Sequence, residues 1–344
     1  MKSVVIHAAK DLRIEDREAE TAGAGQVEIA VQAGGICGSD LHYFNHGGFG
    51  AIRLREPMIL GHEIAGTIAS RGAGVSGFSV GERVAVSPSR PCSMCEYCLK
   101  GQQNQCLDMR FYGSAMRMPH VQGAFRQRLV AESFQCHKIA DGVSINEAAF
   151  AEPFAVTLHA VNRAGPLLDK RVLVTGCGPI GALCILAARA HGAREIIATD
   201  VMDGVLDKAK LVGADRTINV ADHPEQLSEY SANKGSIDVM FEASGNERAL
   251  RAGLEVLRPR GTLVQLGLGG DVAIPQNMIV AKEIEIRGSF RFHEEFALAV
   301  DLINRRRVDV TPLLTGIFDM DDAVKAFETA NDRSRSMKVQ LSFG

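Results

Sequence analysis

The sequence predicts an α/β chain in which a β-rich part precedes a doubly wound parallel sheet. Residues 1 to about 90 contain short apolar runs broken at short intervals by glycine, a pattern typical of an all-β region. From about residue 153, strand-like runs alternate with helical ones, which indicates βαβ units. The chain has 344 residues, too many for one ordinary core, so we expect two domains.

The β-rich part has two stretches whose side chains can carry chemistry. Its strand-like runs cover residues 27–33, 64–69 and 83–86. The first chemical stretch, 34–42, places a thiol, a hydroxyl and an imidazole among glycines, and the second, 57–63, ends a hydrophobic run with His62 and Glu63. A lone cysteine or histidine is more often structural than functional. Neither stretch alone therefore predicts a functional site.

Together, these stretches predict a zinc site with an open position. Cys37 offers a soft ligand and His62 a borderline one, and Glu63 or the distant Glu152 could add an oxygen. Three protein ligands around zinc leave a fourth position for water or substrate. The sequence therefore points to a catalytic metal.

Four cysteines, Cys92, Cys95, Cys98 and Cys106, predict a second metal site. Gaps of two residues let a folded-back loop aim several sulfurs at one point, as a closed structural zinc site requires. Disulfides are a weaker interpretation, because such gaps suit a shared ion better than pairwise bridges. An iron–sulfur cluster is the other alternative. With four protein ligands, this metal would brace a loop rather than catalyse.

A glycine-rich turn opens the second domain. Residues 170–175 form a β-branched run, followed by G-C-G-P-I-G at 176–181 and an apolar helical segment at 182–191. The next strand, 195–199, ends at Asp200. A G-x-G-x-x-G between strand and helix, with an acid about 20 residues further on, predicts dinucleotide binding. A glycine-rich turn in another kind of α/β protein is the alternative.

Each residue of the turn has a physical task. Gly176 permits the tight turn, Gly178 lets the backbone approach a pyrophosphate, and Gly181 lets helix and strand pack closely. Asp200 would accept bonds from ribose hydroxyls and repel a 2′-phosphate. The following Val201-Met202 offers no arginine to bind such a phosphate, so NAD is expected over NADP.

Further alternation through 237–242, 249–257 and 261–266 extends the sheet domain to about Gly288. Leu266 and Gly267 end a strand where a cofactor could lie. The tail, 289–344, has an expected helix at 294–305 and a closing strand at 338–343. We expect it to return to the β-rich part, which gives domains of 1–153 with 289–344, and 154–288.

Charge and hydropathy exclude other classes of function. The net charge of −3 and a pI near 6.4 give no reason to expect nucleic acid. The basic run Arg305-Arg306-Arg307 is expected to cap a helix. No segment reaches the roughly 18 apolar residues of a membrane span, and the start resembles a short strand rather than a secretory segment. We expect a cytoplasmic protein that does not bind membranes.

Four features then converge: C-G-S-D-L-H, G-H-E, the four-cysteine lobe and the central glycine motif. The chain resembles the zinc-dependent medium-chain alcohol and polyol dehydrogenases over essentially its whole length. It is most similar to their sorbitol and L-idonate 5-dehydrogenase branch, on the stretches C-G-S-D-L-H-Y, D-M-R-F-Y-G-S-A-M, P-H-V-Q-G-A-F, A-E-P-F-A and G-S-F-R-F. The resemblance implies a GroES-like catalytic domain joined to a Rossmann domain.

The resemblance also implies roles for individual residues. Catalytic zinc would be bound by Cys37 and His62, with Glu63 and Glu152 at the same metal, and the cysteine lobe would hold structural zinc. Where alcohol dehydrogenases place a third cysteine, this chain has Glu152, so Glu63, Glu152 or a water could complete the sphere. The remaining implied site residues are the relay pair Ser39 and His42, the substrate neighbours Tyr43, Phe111 and Arg291, and Pro179 and Ile180 in the NAD turn.

The implied reaction is hydride transfer between NAD and a secondary alcohol of a sugar acid or polyol. L-Idonate, oxidised to 5-keto-D-gluconate, is the first choice, and Arg291 could bind its carboxylate, with Arg110 and Arg117 as rivals. Sorbitol or xylitol is the alternative substrate. A non-catalytic NAD-binding protein on the same scaffold is the alternative class. The family's habit suggests a homodimer or homotetramer.

Overall fold

The computed structural model describes residues 1–344 and contains two compact units. Unit 1 comprises Met1–Glu152, Phe296–Arg306 and Leu314–Gly344, and unit 2 comprises Pro153–Glu295 and Arg307–Leu313. The sheet unit therefore extends past the expected end at residue 288 and includes a short segment of the tail. Glu295, at the end of this extension, accepts hydrogen bonds from His159 and Asn162 in the helix 151–164.

The N-terminal part of the chain is mostly strands. They are β1 Lys2–Ala8, β2 Asp11–Asp16, β3 Gln26–Gly35, β4 Gly48–Phe49, β5 Ile52–Arg53, β6 Met58–Ile59, β7 Glu63–Arg71, β8 Arg83–Val86, β9 Ser89–Arg90, β10 Arg110–Phe111, β11 Arg128–Glu132 and β12 Cys136–Lys138. Three helices accompany them: α1 Gly38–His46, α2 Glu96–Leu99 and α3 Ile145–Ala148.

Strands and helices alternate in the middle part. The helices are α4 Ala151–Ala164, α5 Pro179–Ala190, α6 Asp203–Leu211, α7 Pro224–Ser228, α8 Glu247–Val256 and α9 Gln276–Lys282. The strands are β13 Arg171–Thr175, β14 Glu195–Asp200, β15 Arg216–Asn219, β16 Ile237–Glu242, β17 Leu257–Gln265 and β18 Glu285–Gly288. The tail adds α10 Glu295–Asn304, β19 Leu314–Asp319, α11 Ala323–Asn331 and β20 Lys338–Ser342.

In unit 1, a seven-stranded sheet joins both ends of the chain. Its order is β12-β8-β7-β3-β20-β19, with β11 also paired to β3. The last strand, β20, lies antiparallel to β3, and Gln340 pairs with Gly35. β7 pairs with the other edge of β3 and places Glu63 opposite Gly35. The tail thus returns to the β-rich part, as the sequence predicts.

Unit 2 is built on a six-stranded parallel sheet. Its order, β15-β14-β13-β16-β17-β18, starts from the central β13 and proceeds outward in both directions, which is the doubly wound arrangement. The central strands are buried apolar runs, because helices cover both faces of such a sheet. The fold class predicted from the sequence is confirmed.

Two helix boundaries differ from expectation. Helix α5 begins at Pro179 with Gly178 as N-cap, three residues earlier than predicted, because proline's fixed φ favours the first helical position. Helix α10 ends at Asn304. Of the basic run that follows it, Arg306 donates hydrogen bonds to Glu147 and to the Gly142 carbonyl, so its guanidinium ties the helix end to a neighbouring loop. No helix is long and apolar enough to cross a membrane.

Candidate metal and cofactor sites

Two neighbouring strands bring the first set of potential metal ligands together. Cys37 follows β3 as the N-cap of α1, and His62 immediately precedes Glu63, the first residue of β7. Ligand atoms of Cys37, His62 and Glu63 all lie within 4.8 Å of one another. Because β3 and β7 are paired at Gly35 and Glu63, the strand register sets this proximity. We call these three residues the ligand pocket.

Glycine makes room for the acid in this pocket. A Cβ atom on Gly35 would lie 2.1 Å from Glu63 Oε2, a distance that no real side chain tolerates. The carboxylate instead reaches Lys338, whose Nζ donates to both oxygens at 2.7 Å. Both side chains are buried, at 3% and 1% exposure. Gly35 therefore permits an ion pair at the edge of the ligand pocket.

Lys338 was missed by sequence reasoning. It lies at the start of the closing strand β20 and also donates to the Ile36 carbonyl at 3.2 Å. A single lysine before an apolar strand is usually read as a solvent-exposed end. Only the pairing of β20 with β3 places it beside Glu63, more than 270 residues away in sequence, so no local signal could have revealed it.

A second buried acid, Asp40, lies behind the histidine. Asp40 is fully buried and accepts backbone N–H bonds from Cys37 at 3.0 Å and from Gly61 at 3.2 Å. These bonds tie together the two segments that carry Cys37 and His62. His62 Nδ1 lies 3.8 Å from Asp40 Oδ1 and has no hydrogen-bond partner. Metal-binding histidines are commonly oriented by a carboxylate behind them.

Glu152, in the first turn of α4, differs electrostatically from Glu63. Its side chain is 5% exposed, and burial raises its pKa to about 8, opposed by the nearby His62. Glu63 is paired directly with Lys338, whereas Glu152 has no such ion pair. A buried carboxyl without a cation favours its neutral form. A metal ion would supply the missing positive charge.

The donors of the ligand pocket fit zinc. The pocket combines one thiol, one imidazole and carboxylate oxygens, all of which zinc accepts. Burial, together with the charge of Glu63, raises the pKa of the Cys37 thiol to about 11. Without a cation this cysteine therefore stays protonated, and binding of a metal would convert it to the thiolate.

The four cysteines of the lobe also converge. The sulfurs of Cys92, Cys95, Cys98 and Cys106 lie within 4.8 Å of one another, and all are free thiols. The pair Cys92–Cys98 is 4.0 Å apart, too far for a disulfide and close to the ~3.8 Å that tetrahedral Zn–S bonds of about 2.3 Å would give.

Backbone N–H groups point at these sulfurs. Cys92 N–H donates to Cys106 Sγ at 3.2 Å and Cys95 N–H to Cys92 Sγ at 3.3 Å. Backbone donors at Cys98 and Leu107 lower the pKa of Cys95 to about 6. Hydrogen bonds of this kind favour the thiolate, the form that binds metal, whereas burial raises the pKa of Cys98 to about 12 and also raises that of Cys106. The lobe is thus shaped for an ion held by four sulfurs.

The glycine turn has the geometry expected for a pyrophosphate cradle. Gly176 has φ +81°, and a Cβ there would lie 2.7 Å from Ser244. A Cβ on Gly181 would lie 1.8 Å from the Gly176 carbonyl oxygen. Gly178 then caps α5 without a side-chain hydrogen bond, so the first-turn N–H groups of this helix are available to an anion.

Asp200 lies at the end of β14 and reaches the turn. It is 6% exposed, and its Oδ2 accepts the Cys177 N–H at 2.8 Å while Oδ1 accepts the Val201 N–H at 2.7 Å. The carboxylate therefore also holds the middle of the glycine turn. This structural task was not foreseen from the sequence, which suggested only ribose binding.

A buried carboxylate, Glu242, organises the neighbouring strand ends. Its oxygens accept the Ser244 N–H at 2.8 Å, the Gly245 N–H at 3.1 Å and the Gln265 amide at 2.6 Å. Its own carbonyl accepts the N–H groups of Leu266 at 2.9 Å and Gly267 at 2.8 Å. The predicted cofactor residues Leu266 and Gly267 are therefore held beside Ser244 and Gly245. Ser244 is also the residue that lies against Gly176.

Comparison with known proteins identifies the family. Residues 23–141 match the alcohol dehydrogenase GroES-like domain, and residues 179–305 match the zinc-binding dehydrogenase domain. L-Idonate 5-dehydrogenase (NAD(P)(+)) of Escherichia coli (strain K12) is 39% identical over 343 residues, covering 99% of this chain and 98% of that protein. The chain belongs to the zinc-binding alcohol dehydrogenase family. It is therefore an oxidoreductase of this type, as its sequence predicts.

Another relative and a solved structure match nearly the whole chain. Sorbitol dehydrogenase of Gallus gallus is 35% identical over 345 residues, covering 98% of this chain and 95% of that protein. The crystal structure of Escherichia coli L-idonate 5-dehydrogenase superposes with a TM-score of 0.95 at 39% identity, covering 99% of this chain and 98% of that one. The similarity thus extends over both domains.

The expected relay residues of this dehydrogenase lie on α1. Ser39 is in its first turn, close to Cys37, and His42 is exposed one turn later. His42 lies against Phe49, with ring centroids 5.5 Å apart. Partial burial lowers the pKa of His42, and the neighbouring His46 lowers it further. His42 is therefore mainly neutral at pH 7 and able to accept a proton.

Two of the expected substrate residues differ in their surroundings. The ring of Phe111 lies against that of His62, with centroids 5.5 Å apart, so it borders the ligand pocket. Tyr43 is 2% exposed, and its hydroxyl accepts the Ala115 N–H at 3.0 Å. Within unit 1, Tyr43 is therefore chiefly a core residue, and its assignment to the substrate remains a prediction.

Arg291 belongs to a loop that is anchored on α4 at both ends. Arg163 Nε donates to the Gly288 carbonyl at 3.1 Å. At the other end, Glu295 accepts bonds from His159 and Asn162, each at 2.9 Å. Arg291 itself has φ +55°, an uncommon conformation for a large residue. Such strained positions are typical of functional loops.

Proposed function

We propose that this dehydrogenase transfers hydride between NAD and a secondary alcohol of a sugar acid, with L-idonate and 5-keto-D-gluconate as the substrate pair. The observation that carries this proposal is the convergence of Cys37, His62 and Glu63 in one buried pocket. The 39% identity to an L-idonate 5-dehydrogenase over nearly the whole chain supports the choice of substrate.

In this proposal, Cys37 and His62 hold one zinc ion, together with Glu63 or Glu152, and the four cysteines of the lobe hold another. When bound, zinc would act as a Lewis acid toward the substrate alcohol, and NAD, held by residues 176–181, would be the hydride acceptor. The chain's own residues orient these groups. Asp40 ties the segments of Cys37 and His62 to each other.

The proton that leaves the alcohol passes to Ser39 and then to His42. Ser39 lies two residues after the ligand Cys37, on the first turn of α1. His42 is exposed and can release the proton to water. Its lowered pKa favours the neutral imidazole, which is the form that accepts a proton. Ser39 and His42 thus form the proposed exit path.

Arg291 is the proposed partner of the substrate carboxylate. A guanidinium matches a carboxylate with two parallel hydrogen bonds. Arg117 is a weaker candidate, because it already forms an ion pair with Asp108 at 2.6 Å and donates to the carbonyls of Met109 and Leu107. Arg110 lies on β10 beside Phe111 and remains a rival.

The proposal is tested by NAD reduction against a matched panel. L-Idonate, D-gluconate, D-sorbitol, xylitol and L-threonine are each supplied with NAD, and kcat/KM is measured together with zinc content on the same sample. The highest kcat/KM is expected with L-idonate. A higher value with sorbitol or xylitol would favour the polyol alternative, which the 35% identity to a sorbitol dehydrogenase supports.

Two further points belong to this proposal. No NAD reduction with any member of the panel, on protein that contains zinc and binds NADH, would favour a non-catalytic NAD-binding role. We also propose a cytoplasmic homodimer or homotetramer, which sedimentation of the purified protein and fractionation of its cells would test.

A further inference from the structure

A cavity of about 280 Å³ opens in unit 1, and Arg117 is the one candidate substrate residue named above that lines it. One wall is the β4–β5 hairpin with the residues that follow it, and the other is the loop 115–120. Its charged side chains are Arg53, Arg55 and Arg117, and no aspartate or glutamate lines it. A volume of this size accommodates a compound about as large as a hexose.

Two of these three arginines have no carboxylate partner. Arg53 donates to the Ile52 carbonyl at 3.0 Å, and Arg55 forms no ion pair in the structure. Arg117 is paired with Asp108 at 2.6 Å. Glu56, which follows Arg55 in the chain, does not line the cavity and accepts the His120 N–H at 2.6 Å. Three guanidinium groups therefore border one cavity, two of them uncompensated, and such groups attract an anion.

A buried histidine fixes the two walls relative to each other. His120 is 5% exposed. Its Nε2 accepts the Arg55 N–H at 2.9 Å, and its Nδ1 donates to the Arg117 carbonyl at 2.7 Å. Because Nε2 must be an acceptor here, the ring is the neutral Nδ1–H tautomer. His120 thus sets the spacing of the backbone segments that carry Arg55 and Arg117, so the cationic walls are held in place before any ligand binds.

We propose that this cavity is a binding site for a small oxyanion, either the carboxylate of a sugar acid or a phosphate. Arg53 and Arg55 are its main ligands, and Arg117, already paired with Asp108, forms the opposite wall. The fork of each guanidinium matches two oxygens of a carboxylate or phosphate. None of Cys37, His62 and Glu63 lines the cavity, so the proposal does not depend on the metal assigned to the ligand pocket.

Binding is measured by NMR line broadening on the zinc-loaded protein without NAD, at low ionic strength. D-Glucuronate and inorganic phosphate are the probes, and D-glucose, which has the same ring without the carboxylate, is the neutral control. We expect glucuronate and phosphate to compete for one site with a Kd of about a millimolar or below. Glucose should not bind. Binding of phosphate without binding of glucuronate would show that the site exists and that its ligand is a phosphate rather than a sugar-acid carboxylate.

Variants locate the site. Arg53→Gln with Arg55→Gln should weaken anion binding by at least about tenfold, and since both side chains are exposed, the melting temperature should not change. Arg307→Gln, an exposed arginine elsewhere, is the matched control and should bind as the parent does. His62→Ala should also keep binding. Unchanged affinity in the double variant, loss in His62→Ala, or equal binding of glucose would overturn the proposal.

Discussion

Lys338 Nζ lies 2.7 Å from both carboxylate oxygens of Glu63, in a pair that is almost entirely removed from water. The pair joins the last strand of the chain to the first residue of β7, and it borders the ligand pocket. Buried pairs of this kind are costly to break, because the remaining charge has no partner. Lys338 therefore fixes the position of Glu63 and supplies its buried counter-charge.

Lys338→Met should destabilise the protein by about 3–5 kcal/mol, because it leaves Glu63 buried and uncompensated. Adding Glu63→Gln to that variant should recover part of the loss. Lys2→Met is the matched control: its pair with Asp321 is exposed, at 44% and 58%, so its loss should change the free energy of unfolding far less. The free energy of unfolding from urea titration measures all three. Equal effects at Lys338 and Lys2 would show that burial of the pair has no energetic consequence.

Cys95→Ser should lower the melting temperature and release one zinc ion per chain, while kcat per folded site stays near the parent value. The reason is that a metal held by four sulfurs braces a loop and has no open position for substrate. Cys136→Ala, which removes a buried thiol outside both cysteine sets, should leave zinc content unchanged. An unaltered zinc content in Cys95→Ser would remove the bracing role.

Asp200→Ala should lower the ratio of kcat/KM for NAD to that for NADP by at least about tenfold, through loss of ribose contacts and of charge repulsion. Because Asp200 also accepts the Cys177 N–H, the alanine variant should loosen the turn as well. Asp200→Asn retains an acceptor oxygen and isolates the effect of charge. Asp207→Ala, an exposed acid on α6, is the control. An unchanged cofactor ratio in both Asp200 variants would count against the ribose role.

Glu295→Gln tests the anchor of the Arg291 loop through its pH dependence. Burial alone would raise the pKa of Glu295. The hydrogen bonds that its carboxylate accepts, of which the bond from His159 has the largest effect, instead lower the pKa to about 2. A lowered pKa means that the carboxylate stabilises the fold fully above about pH 4.5 and loses this contribution as the pH falls toward 2.

At neutral pH, the Glu295 carboxylate contributes on the order of 3 kcal/mol to the free energy of unfolding. The difference in unfolding free energy between the parent and Glu295→Gln should therefore shrink as the pH is lowered from 5 toward 2. Urea titrations across this range measure the difference directly. A difference that stays constant with pH would contradict the assigned hydrogen bonds.

Local patterns carried most of the sequence prediction. The glycine turn, the four-cysteine lobe and the alternation of strands and helices could be predicted because each depends on residues close together in the chain. Even so, α5 was placed three residues late, since the apolar spacing starts at Ala182 whereas the helix starts at Pro179. Backbone capping, rather than side-chain hydrophobicity, sets that boundary.

Long-range pairing explains what the sequence could not reveal. Lys338 reaches Glu63 only through the register of β20, β3 and β7. The hydrogen bond that Asp40 accepts from Gly61 depends on how α1 meets the segment before β7. Tyr43 follows a predicted site motif, yet its ring is buried and its hydroxyl is bound by a loop residue 72 positions away. These relationships are set by tertiary packing, which a single sequence does not display.

The most direct test of the account counts zinc in His62→Ala. The parent protein should contain two zinc ions per chain, and the variant should contain one, bind NADH as tightly as the parent, and show no turnover. An NADH affinity in the variant equal to that of the parent would show that unit 2 is intact. Two zinc ions retained in the variant, or turnover at the parent rate, would contradict the assignment of Cys37 and His62 to the catalytic metal.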